Sequence, residues 1–400
     1  MTPGDGLRWL DALGPQKIRP GLARTRALLA ALGSPQSTFR TLLVGGTNGK
    51  GSTAAAAASI LETAGLRVGL TTSPHLVRVN ERVRLCGRDA PDAALGSALA
   101  LVGAVSGEGP LRPTYFEALV VAACELFRRA RVEVAVVEVG IGGRLDATNV
   151  LDPEVSVVTN VDADHLETLG PTLADVAREK AGIFRRGRPA LTAATGEALD
   201  VLRAEAARTG ARLVEVPPSP AWDDVSPLAG AHQRANLALA VAAARAFAPL
   251  DDATVRRGIA ALRWPGRLQA VERPGRRPLL VDGAHNPAGA AALAAYLDTS
   301  GLAGRVDLVF GALGEKAVEG MFGPLAARAG RVVLVAPDSP RAIPPEALAA
   351  RLGRADLPRA VSLADAVAAL EGPEGAPPIL VAGSLVLAGE ALALFARREA

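Results

Sequence analysis

Only two cysteines, Cys86 and Cys124, occur in the 400 residues, far apart and outside any CxxC pattern. That spacing suggests neither a zinc knuckle nor a disulfide framework, and a reducing cytoplasm fits. No apolar run approaches the roughly 18 residues that a membrane-spanning helix requires. The opening MTPGDGLRWLDALG has neither a basic start leading into an apolar core nor a small-residue cleavage site. A cytoplasmic protein without membrane association is expected. Aromatics make up 3%, the formal net charge is only +3, and no basic run interleaves with aromatics, so nucleic acid is not the expected partner. Against these scarcities, hydrophobic residues at 49% and charged residues at 21% describe a globular chain, long enough for two cores.

Lysine is scarce too: Lys17, Lys50, Lys180 and Lys316 stand against forty arginines. Where arginine fills nearly every generic surface role, a lysine is expected to do what arginine cannot. It can place a compact ammonium on a phosphate, or offer an amine for chemical modification. Lys17 has no such context and reads as a leftover surface cation.

Short β-branched runs alternate with Ala/Leu-rich helical stretches along the chain. TLLVG (41–45), RVGLT (67–71), EVAVVEV (133–139) and VSVVT (155–159) are near-continuously apolar, as strands buried on both faces should be. Between them lie STAAAAASILETAG, TYFEALVVAACELFRRA and TLADVAREKAGIF, which have helical patterning. The order predicts right-handed βαβ units and a parallel sheet covered by helices. A pause follows at WPGRLQAVERPGRRPLL (264–280), rich in proline, glycine and arginine, and the alternation then restarts with LLVDG, RVDLVFG, RVVLVA and PILVAG. The expected fold is α/β: a large N-terminal parallel-sheet domain with a phosphate loop over 1–270, and a smaller Rossmann-like α/β domain over 271–400.

GTNGKGST follows the first strand run and opens the first long helix. It departs from the common phosphate-loop pattern, because Val44 stands where the first Gly belongs and Gly51 follows Lys50 directly. The cradle nevertheless survives on physical grounds. Glycines let the main chain approach phosphate, the helix start offers free N–H groups, Lys50 adds a point charge, and Ser52 and Thr53 carry hydroxyls one position late. Ligands of open parallel sheets gather beyond the carboxyl ends of strands. The same rim receives Glu138 and Asp146 from EVGIGGRLDATN, and His165 with two aspartates from VDADHLETLG. A carboxylate and an imidazole there can hold Mg²⁺ bridging to phosphate, although a structural histidine in a polar loop fits His165 equally. GIGGRL is not a dinucleotide fingerprint, since Leu145 replaces its last glycine and no clear helix follows.

GTNGKGST, TSPHLVRVNERV, TYFEA, EVGIGGRLDATN, DADHLETLG, AREKAGI, HQRAN, PGRLQ, DGAHNP and GSL occur here in that order. In this the chain resembles the folylpolyglutamate synthases and bifunctional dihydrofolate synthases, members of the Mur-ligase-like amide-forming enzymes, over nearly its whole length. The resemblance implies an ATP-binding central domain and a C-terminal glutamate-ligase domain. It implies ATP phosphates on Thr47, Asn48, Gly49, Lys50, Gly51 and Ser52, and further nucleotide contacts from Asn236, Arg267 and Asp282, so that the second domain is expected to help close the ATP site. Two Mg²⁺ ions are implied, with ligands from Ser73, Glu138 and His165. Lys180 matches the lysine that becomes a carbamate in this group; arginine cannot take that role, whereas without the resemblance Lys180 reads as an exposed helix residue paired with Glu179. Lys50, Lys180 and His165 are thus the expected catalytic groups.

Leu22, Ala23, Arg24 and Thr25, then Thr114, Tyr115, Phe116 and Glu117, and Leu145, Asp146 and Ala147 align with regions that hold dihydropteroate in bifunctional members. Thr, Phe and Glu in TYFEA can equally be a helix start, a core residue and a capping carboxylate. His285 and Asn286 either serve the incoming glutamate or shape the turn before Pro287. Lys316 falls where the family commonly has an acidic–Lys pair, with no role specified.

The implied chemistry activates a carboxylate by attack on the ATP γ-phosphate, with the acyl phosphate then captured by the glutamate amine. The acceptor is dihydropteroate, a folate γ-carboxylate, or both; a monofunctional folylpolyglutamate synthase is the nearest alternative. A monomer working on small molecules is expected. A cell-wall ligase with a UDP-linked substrate is disfavoured, because only about 45 residues precede the phosphate loop. A guanine-type nucleotide switch is disfavoured because none of the four lysines sits in an NKxD-type loop.

Overall fold

The computed structural model describes residues 2–14, 19–314 and 317–395, so that Lys17 and Lys316 lie outside the described residues. The chain divides into two units. The first comprises Met1–His75, Val79–Pro227 and Gln233–Arg263; the second comprises Leu76–Arg78, Leu228–His232 and Trp264–Ala400.

The first unit holds β1 (Arg40–Gly45), β2 (Val68–Thr71), β3 (Val83–Leu85), β4 (Arg88–Asp89), β5 (Val134–Glu138), β6 (Val155–Val158), β7 (Pro189–Thr192) and β8 (Arg212–Glu215). They form one sheet in the order β4-β3-β2-β5-β1-β6-β7-β8. All neighbours from β2 to β8 in that order run parallel, whereas β3 pairs antiparallel with both β2 and β4. Every residue of β2, β5 and β6 is buried, which explains why these strands read as unbroken apolar runs instead of alternating ones.

Small residues let helices approach this sheet and each other. The alanines of helix Lys50–Thr63 are buried, and Gly258 of helix Asp252–Ala260 lies so close that a Cβ there would meet Ile60 Cα at 2.6 Å. Helix Tyr115–Arg129 covers β2 through Phe127, which occupies the space above Gly69 and meets Phe39 edge-on at 5.7 Å between centroids. Its start is set by a capping box of Thr114 and Glu117, and its end by Arg128 and Arg129, which both pair with the buried Glu125.

The second unit holds β9 (Gln269–Val271), β10 (Leu279–Val281), β11 (Val306–Phe310), β12 (Ala329–Leu334) and β13 (Ile379–Ala382), in the order β12-β11-β13-β10-β9. The sheet is parallel except for β9, which runs antiparallel to β10. Alternate residues feed two cores: Leu280, Leu308 and Phe310 face one, while Leu279, Val281 and Val309 face the other. The sequence boundary at 270/271 falls inside β9, whose pairing with β10 draws the chain from Trp264 onward into the second unit. Proline and glycine around 264–275 suggest a joint, whereas the three-residue strand among them is too short to show a period. Among the described residues no helix is long and apolar enough to cross a membrane.

Candidate active site

The sheet order brings four strand ends together in sequence: β2, β5, β1 and β6. Register places Glu138 of β5 beside Val44 of β1, and the next residue ties in as Val139 N–H donates to the Val44 carbonyl at 2.9 Å. On the other side Thr71 of β2 faces Val137.

Beyond β1, residues Gly46–Gly49 form a loop that is held by the segment following β6. Thr47 N–H donates to the Asn160 carbonyl at 3.0 Å, Asn48 N–H to Asn160 Oδ1 at 2.8 Å, and Thr159 Oγ1 to the Asn48 carbonyl at 2.6 Å. Thr47 Oγ1 accepts from Asp162 N–H at 3.0 Å, and Asn48 Nδ2 donates to Asp162 Oδ2 at 3.3 Å. Gly49 has φ 80°, a left-handed conformation, and a Cβ there would stand 2.1 Å from Asn236 Oδ1. Asn236 is held in turn by Gln233, whose Oε1 accepts from its Nδ2 at 2.8 Å. Helix Lys50–Thr63 begins with no side-chain cap, so the first N–H groups of the helix, ahead of the Thr53 N–H that donates to the Gly49 carbonyl at 2.9 Å, have no partner among the described residues. Lys50 Nζ folds back to the Thr47 carbonyl at 3.0 Å, Ser52 is buried, and Thr53 Oγ1 is enclosed without a hydrogen-bond partner among the described residues. A glycine loop, an uncapped helix start and an ammonium form an anion cradle.

Lys180 does not sit on an exposed helix face beside Glu179. It is 4% exposed, and its Nζ donates to the Gly46 carbonyl at 2.9 Å. Glu179 pairs instead with Arg144 at 2.7 Å. Burial, and then the like charge of Lys50, bring the Lys180 amine down to about 7 against the partial restoring pull of Asp164 and Asp162. A neutral amine is therefore available at neutral pH.

Glu138 is buried and accepts the Ser73 N–H at 2.8 Å. His165 is exposed, adopts φ 54°, and has Nδ1 3.7 Å from Glu167 and Nε2 4.0 Å from Asp164. Among the described residues no three His, Cys, Asp or Glu side chains gather closely enough to hold a metal ion. Mg²⁺ is ordinarily held by one or two carboxylates together with substrate phosphates and water, so the hard oxygen donors of Glu138 and Ser73 beside an anion cradle fit it.

The three segments expected to hold the pterin meet in the first unit. Gly21 N–H donates to the Leu145 carbonyl at 3.2 Å, joining the residue before Leu22 to the Leu145–Ala147 turn. Arg24, at the start of helix Ala23–Ala31, gives its Nε to Glu117 Oε2 at 3.2 Å, with Nη2 2.9 Å from Oε1 in an ion-pair contact that lacks hydrogen-bond geometry. Glu117 also accepts Thr114 N–H at 2.8 Å, so its capping role is real. Phe116 lies over Gly140, where Asp146 also approaches. Asp146 accepts from Ile141 N–H and from the Thr148 N–H and hydroxyl, and burial pushes its carboxyl above the usual range. Thr25, Tyr115 and Ala147 are buried, while Leu145 is exposed.

In the second unit, Asp282 accepts Leu268 N–H at 2.9 Å and Ala284 N–H at 2.8 Å, and burial raises its pKa against the pull of Arg267. His232, beside both, is held below its usual range by burial. Asn286 caps helix Pro287–Thr299 through Gly289 N–H at 2.8 Å, which fits the turn-shaping reading. His285 Nδ1 lies 2.8 Å from the Gly283 carbonyl, so that nitrogen carries the proton.

Asn160, Asp162, His75, Arg82 and His232 are absent from the sequence-derived site. Asp162 stands in a strand-end motif, His75 and Arg82 lie within TSPHLVRVNERV and His232 within HQRAN without being singled out there, and Asn160 enters through folding. Arg82 Nε donates to His75 Nδ1 at 2.9 Å, and burial together with that cation lowers the His75 pKa to about 4.

Two α/β units, the first with an anion cradle at its strand ends, invite comparison with nucleotide-dependent ligases. Residues 44–217 match the family profile of the Mur ligase middle domain, and residues 266–385 that of the Mur ligase glutamate ligase domain. These matches define the class as a Mur-type ligase. The chain is 38% identical to the folylpolyglutamate synthase of Lacticaseibacillus casei, over 91% of this chain and 92% of that one. A Mycobacterium tuberculosis folylpolyglutamate synthase solved with ADP and AMPPCP superposes with a TM-score of 0.87 at 35% identity, covering 99% of both chains. A bifunctional folylpolyglutamate synthase/dihydrofolate synthase from Yersinia pestis, solved with AMPPNP and Mn ion, gives 0.85 at 29% identity over 98% of both. The chain belongs to the folylpolyglutamate synthase/dihydrofolate synthase family, and it is an ATP-dependent ligase.

Proposed function

We propose that the chain joins L-glutamate to pterin-bearing acids, using dihydropteroate to form dihydrofolate and a folate γ-carboxylate to lengthen the polyglutamate tail. It does so as a cytoplasmic monomer acting on small molecules. The observation that carries this reading is the phosphate loop at Gly46–Lys50, braced by the buried Lys180 amine and flanked by Glu138.

An acceptor carboxylate oxygen attacks the γ-phosphorus, the bond to the β-phosphate oxygen breaks, and ADP leaves. The glutamate amine then attacks the acyl carbon, and phosphate departs with one former carboxylate oxygen. Thr47, Asn48, Gly49, Gly51 and Ser52 bind the triphosphate through the loop and helix start, and Lys50 neutralises the transferring charge. Asn236, packed against Gly49, and Arg267 and Asp282, by their motifs, are assigned to the nucleotide. Two Mg²⁺ ions, with Ser73, Glu138 and His165 as protein ligands, supply charge neutralisation on the phosphates when bound. Lys180 captures CO₂ as a carbamate, for which its neutral amine is the required form, and so turns a cation into an anionic oxygen donor. Leu22–Thr25, Thr114–Glu117 and Leu145–Ala147 hold the acceptor, and His285 the glutamate.

The test is isotopic. Acceptor labelled with ¹⁸O in the carboxylate should yield phosphate carrying one labelled oxygen per amide formed; unlabelled phosphate alongside amide overturns the route.

A further inference from the structure

Arg82 has more hydrogen-bonding capacity than its surroundings use. It ends the 3-10 turn Val79–Arg82, and its carbonyl accepts Thr72 N–H at 3.1 Å. Its Nε donates to His75 Nδ1 at 2.9 Å, and its Cζ stands 5.4 Å from the centroid of the Tyr115 ring. The remaining edge, Nη1 and Nη2, makes no hydrogen bond to any described residue. Glu81, Glu138 and Tyr115 attract this guanidinium electrostatically without hydrogen-bonding to it. Because Nδ1 of His75 accepts, the proton of the neutral ring sits on Nε2, which also lacks an acceptor among the described residues. Both side chains are half-buried.

The position of this free edge matters as much as its chemistry. On one side, Ser73 N–H binds Glu138, which lies beside Val44 at the root of the phosphate loop. On the other, Tyr115 is the first residue of the helix whose start carries Thr114, Glu117 and, through Glu117, Arg24. Arg82 thus lies between the phosphate-side strand ends and the segments assigned to the pterin. A planar guanidinium with one edge already fixed presents the other as a two-pronged fork, and a carboxylate is the anion whose geometry matches it. Such a fork uses two of about four acceptor directions on a carboxylate and leaves the others for attack on phosphorus.

We propose that Arg82, oriented by His75 and by the Tyr115 ring, binds the acceptor carboxylate that becomes phosphorylated, with His75 Nε2–H as an accessory donor. The inference rests on the acceptor class given above.

The experiment titrates dihydropteroate and its neutral carboxamide into the full chain saturated with ADP and Mg²⁺, following heat, for the parent, Arg82→Ala, Arg82→Gln and Arg82→Lys. The parent should prefer the acid by about 10- to 100-fold, the range of a charged hydrogen bond. Arg82→Ala and Arg82→Gln should reduce that preference to within about twofold by weakening the acid alone, and Arg82→Lys should keep part of it, with ADP affinity unchanged in all. Should Arg82→Ala fail to fold, Arg82→Gln and Arg82→Lys carry the comparison. A preference for the acid that survives in these variants overturns the assignment while leaving the acceptor class intact. Equal weakening of acid and carboxamide also overturns it, as the mark of a structural role. A parent that binds neither ligand while binding ADP overturns the acceptor class and this inference with it.

Discussion

Lys180 shows how a single residue acquires its chemistry from its surroundings. The sequence supplies a lysine in a helix; burial and the neighbouring Lys50 supply an amine whose pKa is about 7. Since that folded value lies below the ordinary 10.5, the unfolded chain binds the extra proton between the two, and the residue's contribution to stability rises with pH across that window. Lys180→Met should therefore be more stable than the parent at neutral pH, and the gap should narrow as pH rises toward 10.5, as read by denaturant midpoints. The neutral fraction also grows through about pH 7, so at fixed dissolved CO₂ the turnover of the parent should climb between about pH 6 and about pH 8. Lys180→Arg should lose on the order of 100-fold at every pH, because arginine keeps its proton. Gly49 makes the complementary case. An L side chain at φ 80° costs about 1–2 kcal/mol before the collision with Asn236 is counted. Gly49→Ala should weaken ATP binding by about tenfold or more, measured by nucleotide titration of the folded variant.

Among the elements, the start of helix Tyr115–Arg129 ties stability to the segments proposed to hold the pterin. Thr114→Ala removes one cap and should cost about 1 kcal/mol. Glu117→Ala removes both the cap and the partner of Arg24, whose side chain is 18% exposed, and should cost about 3 kcal/mol in urea unfolding. A Glu117 variant no less stable than Thr114→Ala contradicts the pairing. Elements of this kind are legible in sequence where they repeat a pattern: β1, the loop and helix Lys50–Thr63 follow from an apolar run, glycines and Lys50. Motifs that return to one place from a distance are legible only as motifs. That Arg24 meets Glu117 depends on how segments 93 residues apart fold back onto one another, which no local spacing encodes, and that Arg82 meets His75 within one motif depends on the turn between them. His165 illustrates the reverse, a motif residue whose observed partners are its own neighbours Asp164 and Glu167. In the same way Asn286 resolves toward a cap, because the Gly289 N–H it satisfies is visible only once the helix exists.

At the scale of the whole chain, alternating strands and helices give the α/β class in both units, since period and length suffice for that. The division between them is less legible: short segments at Leu76–Arg78 and Leu228–His232 belong with the second unit, and HQRAN is split, His232 in one unit and Asn236 in the other. The chain-wide claim is that ATP cleavage is coupled to amide formation on a pterin acid. The most direct measurement supplies the full chain with MgATP, L-glutamate and either dihydropteroate or tetrahydrofolate, and counts ADP and glutamylated product together by chromatography. One ADP per amide bond, and none above background when either the acceptor or glutamate is withheld, is the predicted result; ADP released without a glutamylated pterin would contradict it.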